Sequence, residues 1–390
     1  MLKERYLTEF ILEDLQEKMV FVGGPRQIGK TTFAGQLVAQ NFKSPAYFNW
    51  DNRFDREQIM NSNWPGNSDL LILDEIQKYR KWKSLIKGEY DKLKDKYKFL
   101  VTGSARLDVY RKGGDSLQGR YHYYRMHPFT LAELINRRKR FDKINEWTFE
   151  EHEYNKELDL LFEFGGYPEP LVKQNHRTLR RWHNEKIERL FREDIRDTET
   201  IRDLVSMKLL SDLLPNRVGS LLSINSIRED LNVSHRAVTN WLDILENLYY
   251  HYRVYPFSGQ LLRSIKKEPK LFLWDWSEIE TPGARFENMI ASHLLKWAHF
   301  LYDYQGYHVE LNFLRTIDKK EVDFLITIDK KPWVAIEVKT NDIKTSPSLL
   351  YFKEKLDIPY LYQVVKNPGV DLFKDGVRII SASRFLTALI

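Results

Sequence analysis

Cysteine is missing from all 390 residues of the chain. Its absence excludes disulfide bridges, thiol nucleophiles and zinc–thiolate centres. Long apolar runs are missing too, and no stretch approaches the roughly 20 residues that a membrane helix needs. Met1 to Glu17 mixes acids and bases throughout, unlike a secretion signal. A cytoplasmic protein without a membrane partner is therefore expected. A strong excess of one charge is also lacking. Against 61 basic residues stand 55 acidic ones, a formal charge of +6 with an isoelectric point near 9.0. An anionic partner fits that margin, and so does an ordinary solvated surface. Apolar material is plentiful, at 42% of residues with 14% aromatic. That suffices for real cores, and the length predicts two or three domains.

The chain is organised around Gly24 to Thr32, which reads GPRQIGKTT. The stretch fits G-x-x-x-x-G-K-[ST], with Gly24, Gly29, Lys30 and Thr31 in the fixed places. Pro25, Arg26, Gln27 and Ile28 fill the loop between, and Thr32 follows. Ahead runs Met19-Val20-Phe21-Val22, apolar as a buried strand should be. Behind, Phe33, Ala34, Leu37 and Val38 recur at helical spacing. Strand, glycine loop and helix is the context that gives this motif meaning. Glycines let backbone N–H groups surround phosphate oxygens, and the new helix N-terminus adds positive potential. Lys30 has the reach for β- and γ-phosphates, and the Thr31 hydroxyl suits Mg²⁺. A glycine-rich turn alone needs no ligand. Spacing and context together read as a nucleotide-phosphate site.

Leu70-Leu71-Ile72-Leu73 reads as a buried parallel strand that delivers Asp74 and Glu75 to its C-terminal end, where α/β sheets bind ligands. Asp74 suits the holding of Mg²⁺ through its water shell, and Glu75 the polarising of a water. Two acids capping the next helix is the plainer reading. Another buried strand, Tyr97 to Ser104, carries hydroxyls at its end, so that Thr102 or Ser104 could sense the γ-phosphate. Arg120 precedes the strand Tyr121 to Met126. It faces a phosphate in its own or a neighbouring subunit, or is an ordinary surface arginine.

These residues carry a resemblance. GPRQIGKTT, LLILDEIQK, FLVTGSAR and SLQGR before HPFTLAEL are similar to the prokaryotic AAA-type ATPases of the archaeal-ATPase-like group. Gly165-Gly166-Tyr167-Pro168, Ala284 to Asn288, and EVDFLI followed by IEVK extend the likeness over nearly the whole chain. In that group the C-terminal half is described as a domain of unknown function with nuclease-like features. The resemblance implies ATP and Mg²⁺ as cofactors and an additional-strand P-loop sheet. It also implies a glutamate as water activator and a helical lid.

From Phe129 to about Arg217 helical patterns dominate, with a basic run at Arg137-Arg138-Lys139-Arg140 that is a solvated helix end or a phosphate contact. Further on, Ser226 is expected to cap a short helix ending near Leu231, and Ser234 a second one. There Val238, Trp241, Leu242 and Leu245 form an apolar stripe, with Arg236, Thr239 and Asn240 outside it. By pattern this is a winged helix-turn-helix that meets double-stranded DNA with those residues or serves only for packing.

Lys270 to Trp276 reads as a strand, Ala284 to Phe300 as a helix carrying Glu287, and three further strands follow. Asp323, then Glu337-Val338-Lys339 fourteen residues on, resembles the PD-(D/E)XK nuclease core. Asp323, Glu337 and Glu287 would share a divalent ion, with Lys339 placing water or stabilising charge on the phosphate. Kept ligands without cleavage, or charges alternating on a solvated strand, are the other readings.

The expected protein is α/β: residues 1–130 an AAA-type, additional-strand P-loop NTPase sheet and 131–215 a helical lid. Residues 216–262 follow as a winged helix and 263–390 as a nuclease-like α/β domain. ATP hydrolysis acting on DNA is the expected function. A nucleotide-dependent switch on protein partners is the alternative, and a homo-oligomer is compatible with either.

Overall fold

Strands buried on both faces must be apolar along their whole length, and the first third of the chain supplies three of them. In the computed structural model these are β1 (Met19–Gly23), β3 (Leu70–Asp74) and β4 (Lys98–Gly103). β2 (Pro45–Asn49) and β5 (Tyr121–Arg125) flank them as edges. The structure describes residues 4–104, 117–137, 144–195, 203–257 and 268–390. The chain divides into two compact units, Met1–His127 with Asn247–Tyr249, and Pro128–Glu246 with Tyr250–Ile390. The segments expected as lid and C-terminal domain fall in the second, as does the segment expected as winged helix apart from Asn247–Tyr249.

The first unit is a five-stranded sheet of order β2-β3-β4-β1-β5, parallel throughout. β4 lies between β1 and β3, the additional strand that the resemblance implies. The register brings Gly23, Asn49, Asp74, Gly103 and Arg125 to one edge, the C-terminal end of every strand. Helices Arg53–Met60 and Trp82–Leu93 form the crossovers. Phe21, Phe48, Leu71, Ile86 and Phe99 pack the core between layers, and Phe21 stacks on Tyr121 at 4.5 Å.

The second unit opens with the short helix Leu131–Leu134, followed by helices Asn155–Phe164, Pro168–Lys173, His176–Arg189 and Leu204–Leu213. Next comes a helix-turn-helix, Ile224–Leu231 and His235–Asn247. Asn232 takes the left-handed turn conformation between them (φ 51°). The cap of the first helix is Ser223, not the expected Ser226. Extended backbone at Ser223 lets its Oγ accept from the Ser226 amide, 3.3 Å away. Ser226 Oγ instead accepts from Arg217 at 3.2 Å. Ser234 caps the second helix by accepting from the Ala237 amide. Within the basic run, Arg137 pairs with Glu150, and Arg138, Lys139 and Arg140 lie outside the described residues.

β6 (His251–Pro256) and β7 (Lys270–Leu273) follow as an antiparallel pair, and Leu221 bridges to Lys270. Strand β7 ends at Leu273, short of the expected Trp276, because Trp276 starts a turn of 3-10 helix capped by Asp275. Both strands belong to an eight-stranded mixed sheet with β8 (Val309–Arg315), β9 (Glu321–Ile328), β10 (Lys331–Lys339), β11 (Tyr360–Val365), β12 (Asp371–Lys374) and β13 (Val377–Ser381). Its order is β12-β13-β11-β10-β9-β8-β6-β7. Helix Pro347–Leu356 covers a face lined by Leu325, Ala335, Leu361 and Ile379. Helix Pro282–Phe300 brings Trp297 into parallel stacking with Trp333, at 5.2 Å. Prolines open both helices at the position where no amide is needed. No described helix is long and apolar enough to cross a membrane.

Candidate functional site

β1 runs into the glycine loop at the C-terminal edge of the first sheet. Gly24 has φ +153° and its missing Cβ would meet the Met126 carbonyl, so a side chain has no room there. Gly29 adopts φ 92° and starts the helix Lys30–Thr32, which continues as a π turn over Phe33–Val38. Only glycine enters that conformation without strain. Lys30 is buried, and its ammonium curls back to donate to the carbonyls of Gly24 (2.9 Å) and Pro25 (2.7 Å). Its charge therefore sits inside the loop that the spacing marks as a phosphate cradle.

Asp74 ends β3 two strands from the loop and is buried. Three hydroxyls donate to it. Thr31 reaches Oδ2 at 2.8 Å, Tyr47 the same oxygen at 2.7 Å, and Thr102 reaches Oδ1 at 2.6 Å. Burial and the Asp74 carboxylate together push the Tyr47 phenol well above its ordinary pKa. Glu75 follows in the left-handed region (φ 56°), a sparsely populated conformation for a non-glycine residue. Its amide donates to the Thr102 carbonyl at 2.8 Å. Its Oε2 accepts from Gln77 Nε2 at 2.8 Å and from Ser104 Oγ at 3.4 Å. Thr102 therefore serves Asp74 and Ser104 serves Glu75.

Arg120 does not join this group in its own chain. It precedes β5 at the opposite edge of the sheet, where its carbonyl accepts from the Met19 amide. β5 extends five residues, roughly 16 Å, from there to the edge that carries the loop. Its guanidinium makes two bonds to Asp91, at 2.7 and 3.0 Å. Sequence reasoning missed Tyr47 and Gln77. Tyr47 stands two residues before the end of β2, and only the observed register, which sets Asn49 beside Asp74, brings it near that carboxylate.

In the second unit the outer positions of helix His235–Asn247 fall as the pattern predicts. Val238, Trp241, Leu242 and Leu245 are buried, Arg236 and Asn240 are exposed, and Thr239 is half-buried.

The C-terminal carboxylates converge, but on a lysine. Lys270, at the start of β7, is 2% exposed. Its Nζ lies 2.7 Å from Glu321 Oε1, 3.3 Å from Glu287 Oε1 and 3.5 Å from Asp323 Oδ1. Asp323 Oδ2 accepts from the Val338 amide at 2.9 Å, Arg315 pairs with Glu321, and Lys339 pairs with Glu337 at 2.6 Å. Lys339 is thus tied to Glu337. Four carboxylates meet three cations here, so one negative charge is left over. Burial first, then Asp323, pushes Glu287 up to about 8 and Glu337 up to about 7. The neighbouring carboxylates hold Lys270 charged against its burial. Glu287, Asp323 and Glu337 therefore do not fit a shared metal ion: the Lys270 ammonium stands against Glu287 and Asp323, and Lys339 holds Glu337 Oε1. Among the described residues no group of three or more carboxylate and histidine side chains is arranged to hold one. Sequence reasoning missed Lys270 and Glu321. The signal was a lysine heading the apolar run Leu271-Phe272-Leu273.

A parallel sheet with an additional strand, a glycine loop with its lysine, and an acidic pair beside it define an AAA-type P-loop NTPase-like domain. Residues 16–135 match the family model described as an AAA domain. Residues 155–277 and 282–385 match two domains of unknown function, DUF8612 and DUF4143. An uncharacterized protein of Methanocaldococcus jannaschii is 24% identical over 262 residues, which cover 63% of this chain and 58% of that protein. The match thus spans less than two thirds of that relative's length. An uncharacterized protein of Haemophilus influenzae is 22% identical over 390 residues, 90% of each chain. The Thermotoga maritima RuvB Holliday junction branch migration motor overlaps 63% of this chain and 87% of its own. Its identity is 16% and its TM-score 0.29, too low to transfer anything further.

Proposed function

We propose that the first unit is a Mg-dependent ATP hydrolase whose cycle moves the second unit on double-stranded DNA. One observation carries the hydrolase reading: Thr31 and Asp74 meet at 2.8 Å beside the loop that holds the Lys30 ammonium, with Glu75 next in sequence. Gly24, Pro25, Arg26, Gln27, Ile28 and Gly29 would surround the phosphates, and Thr32 follows the cradle into the helix. Lys30 exchanges two loop carbonyls for phosphate oxygens. Thr31 and Asp74 are the residues that would hold Mg²⁺, which when bound offsets charge on the transferred phosphoryl group. Glu75, steadied by Gln77 and Ser104, orients a water and accepts its proton. Within one chain Arg120 lies apart, so an arginine-finger role for it requires a homo-oligomer.

The DNA reading rests on the helix-turn-helix, whose second helix leaves Arg236 and Asn240 exposed. The second reading is a nucleotide-dependent switch on protein partners that cuts nothing, and it is favoured by the lysine lodged among the C-terminal carboxylates. ATP turnover measured with and without double-stranded DNA, at low and high salt, separates the two. Stimulation that fades with salt supports DNA as partner, because phosphate contacts release counterions. Turnover indifferent to DNA favours the switch. Absence of any ATP turnover sinks the hydrolase reading.

A further inference from the structure

We propose that the Lys270 ammonium is a built-in cation that stands where Glu287, Glu321 and Asp323 would otherwise share a divalent metal ion, and closes this centre to metal. An ammonium has three N–H donors, and Lys270 has three carboxylates within 2.7–3.5 Å. Its donors are thus matched one to one. The other contacts are shared out in turn: Asp323 Oδ2 accepts from the Val338 amide, Glu321 pairs with Arg315, and Glu337 takes Lys339 through Oε1, its buried Oε2 having no partner among the described residues.

The lysine is not a passer-by from a mobile loop. It is the first residue of β7, and the stretch it heads pairs with β6 through Val254. It bridges to Leu221 as well, and its side chain crosses the Phe313 ring at 5.6 Å. Its three partners come from helix Pro282–Phe300 and strand β9, so one buried charge ties three elements together. Ions of the Mg²⁺ class need oxygen ligands at about 2.0–2.1 Å, and cannot share that space with an ammonium. A carboxylate cluster that would polarise a scissile phosphate through a metal becomes instead a fastener between elements. Metal-assisted hydrolysis of a phosphate ester then has no place at this centre. The inference stands independently of ATP hydrolysis in the first unit.

Mn²⁺ binding to the full chain tests it, without nucleotide and with Asp74→Asn to silence the phosphate-loop site. With Lys270 in place, no saturable Mn²⁺ binding is expected into the millimolar range, by calorimetry or by loss of the free-ion paramagnetic signal. Lys270→Ala should gain a Mn²⁺ site, with affinity increased about tenfold or more. Asp323→Asn should abolish that site, and Mn²⁺ should raise the melting temperature only in the Lys270→Ala chain. If Lys270→Ala folds only when Mn²⁺ is added, the inference is supported equally. A folded Lys270→Ala that gains no site overturns it. So does Mn²⁺ binding by the chain that retains Lys270, if Asp323→Asn removes it. That second measurement decides even where Lys270→Ala does not fold at all.

Discussion

Tyr47 donates its hydroxyl to Asp74 Oδ2 at 2.7 Å, on the same oxygen that Thr31 uses at 2.8 Å. With Thr102 on the other oxygen, a buried carboxylate is satisfied by three hydroxyls from three separate elements. The partners are not equal, since Thr102 is fully buried whereas Tyr47 is 37% exposed. Thr102→Val should therefore destabilise the first unit by about 1–3 kcal/mol, and Tyr47→Phe by about 1 kcal/mol or less. Urea unfolding of the two variants measures the difference. A larger loss for Tyr47→Phe would show that solvent does not reach this carboxylate.

Lys30→Ala should abolish ATP binding, since no other side chain in the loop carries an ammonium onto the phosphates. Glu75→Gln should leave binding intact and lower turnover by about 10²–10⁴-fold, the range for loss of a general base. Fluorescent-nucleotide binding and phosphate release read the two separately. Near wild-type turnover in Glu75→Gln would move water activation to another residue.

The glycine loop and the Asp74–Glu75 pair were legible because their meaning is local: a strand, a turn and a helix in sequence order. The same holds for the stripe on helix His235–Asn247, where burial follows the spacing of Val238, Trp241 and Leu245. Interactions set by strand order were not legible. Tyr47 reaches Asp74 only because β2 lies beside β3, and no residue near either announces the pairing. The carboxylates Glu287 and Asp323 each lie within 3.5 Å of the Lys270 ammonium. Their counterion comes from a lysine 17 and 53 residues away in the chain, and a charge at the head of an apolar strand reads from sequence as solvated. Ser223 and Ser226 show a smaller limit. Both precede or enter the helix, and backbone angle alone decides which one caps it.

The outer face of helix His235–Asn247 gives a further prediction. Arg236→Ala with Asn240→Ala should weaken binding to double-stranded DNA by roughly 1–3 kcal/mol for each base that these side chains read. Both side chains are exposed, so folding should be unchanged. Binding isotherms at several salt concentrations, beside a thermal melt, separate base recognition from stability. DNA affinity identical to wild type at moderate salt would leave this helix a packing element.

Acid should destabilise the second unit through two buried imidazoles. His293 donates from Nδ1 to the Met289 carbonyl at 2.7 Å, while Nε2 accepts from the Leu131 amide at 3.1 Å. A second proton would destroy that acceptor. His251 bonds the Leu242 carbonyl through Nε2 at 3.0 Å, and its Nδ1 is buried without a partner among the described residues. Burial lowers both, His251 to about 4 and His293 to about 3, from an ordinary 6.5. Below 6.5 the unfolded chain therefore takes up protons that the folded chain refuses, and stability rises with pH across that window. The stabilisation is complete above 6.5 and is lost as pH falls through 4 for His251 and 3 for His293. Between neutral pH and pH 5 each imidazole should withdraw on the order of 2 kcal/mol. His293→Gln should flatten part of the dependence whatever its stability at neutral pH. Urea midpoints measured from pH 7 to 5 test this, with imidazole proton shifts followed by NMR. A midpoint that holds steady down to pH 5, or a His293 resonance that titrates near 6.5, would show that these rings take up protons in the folded state.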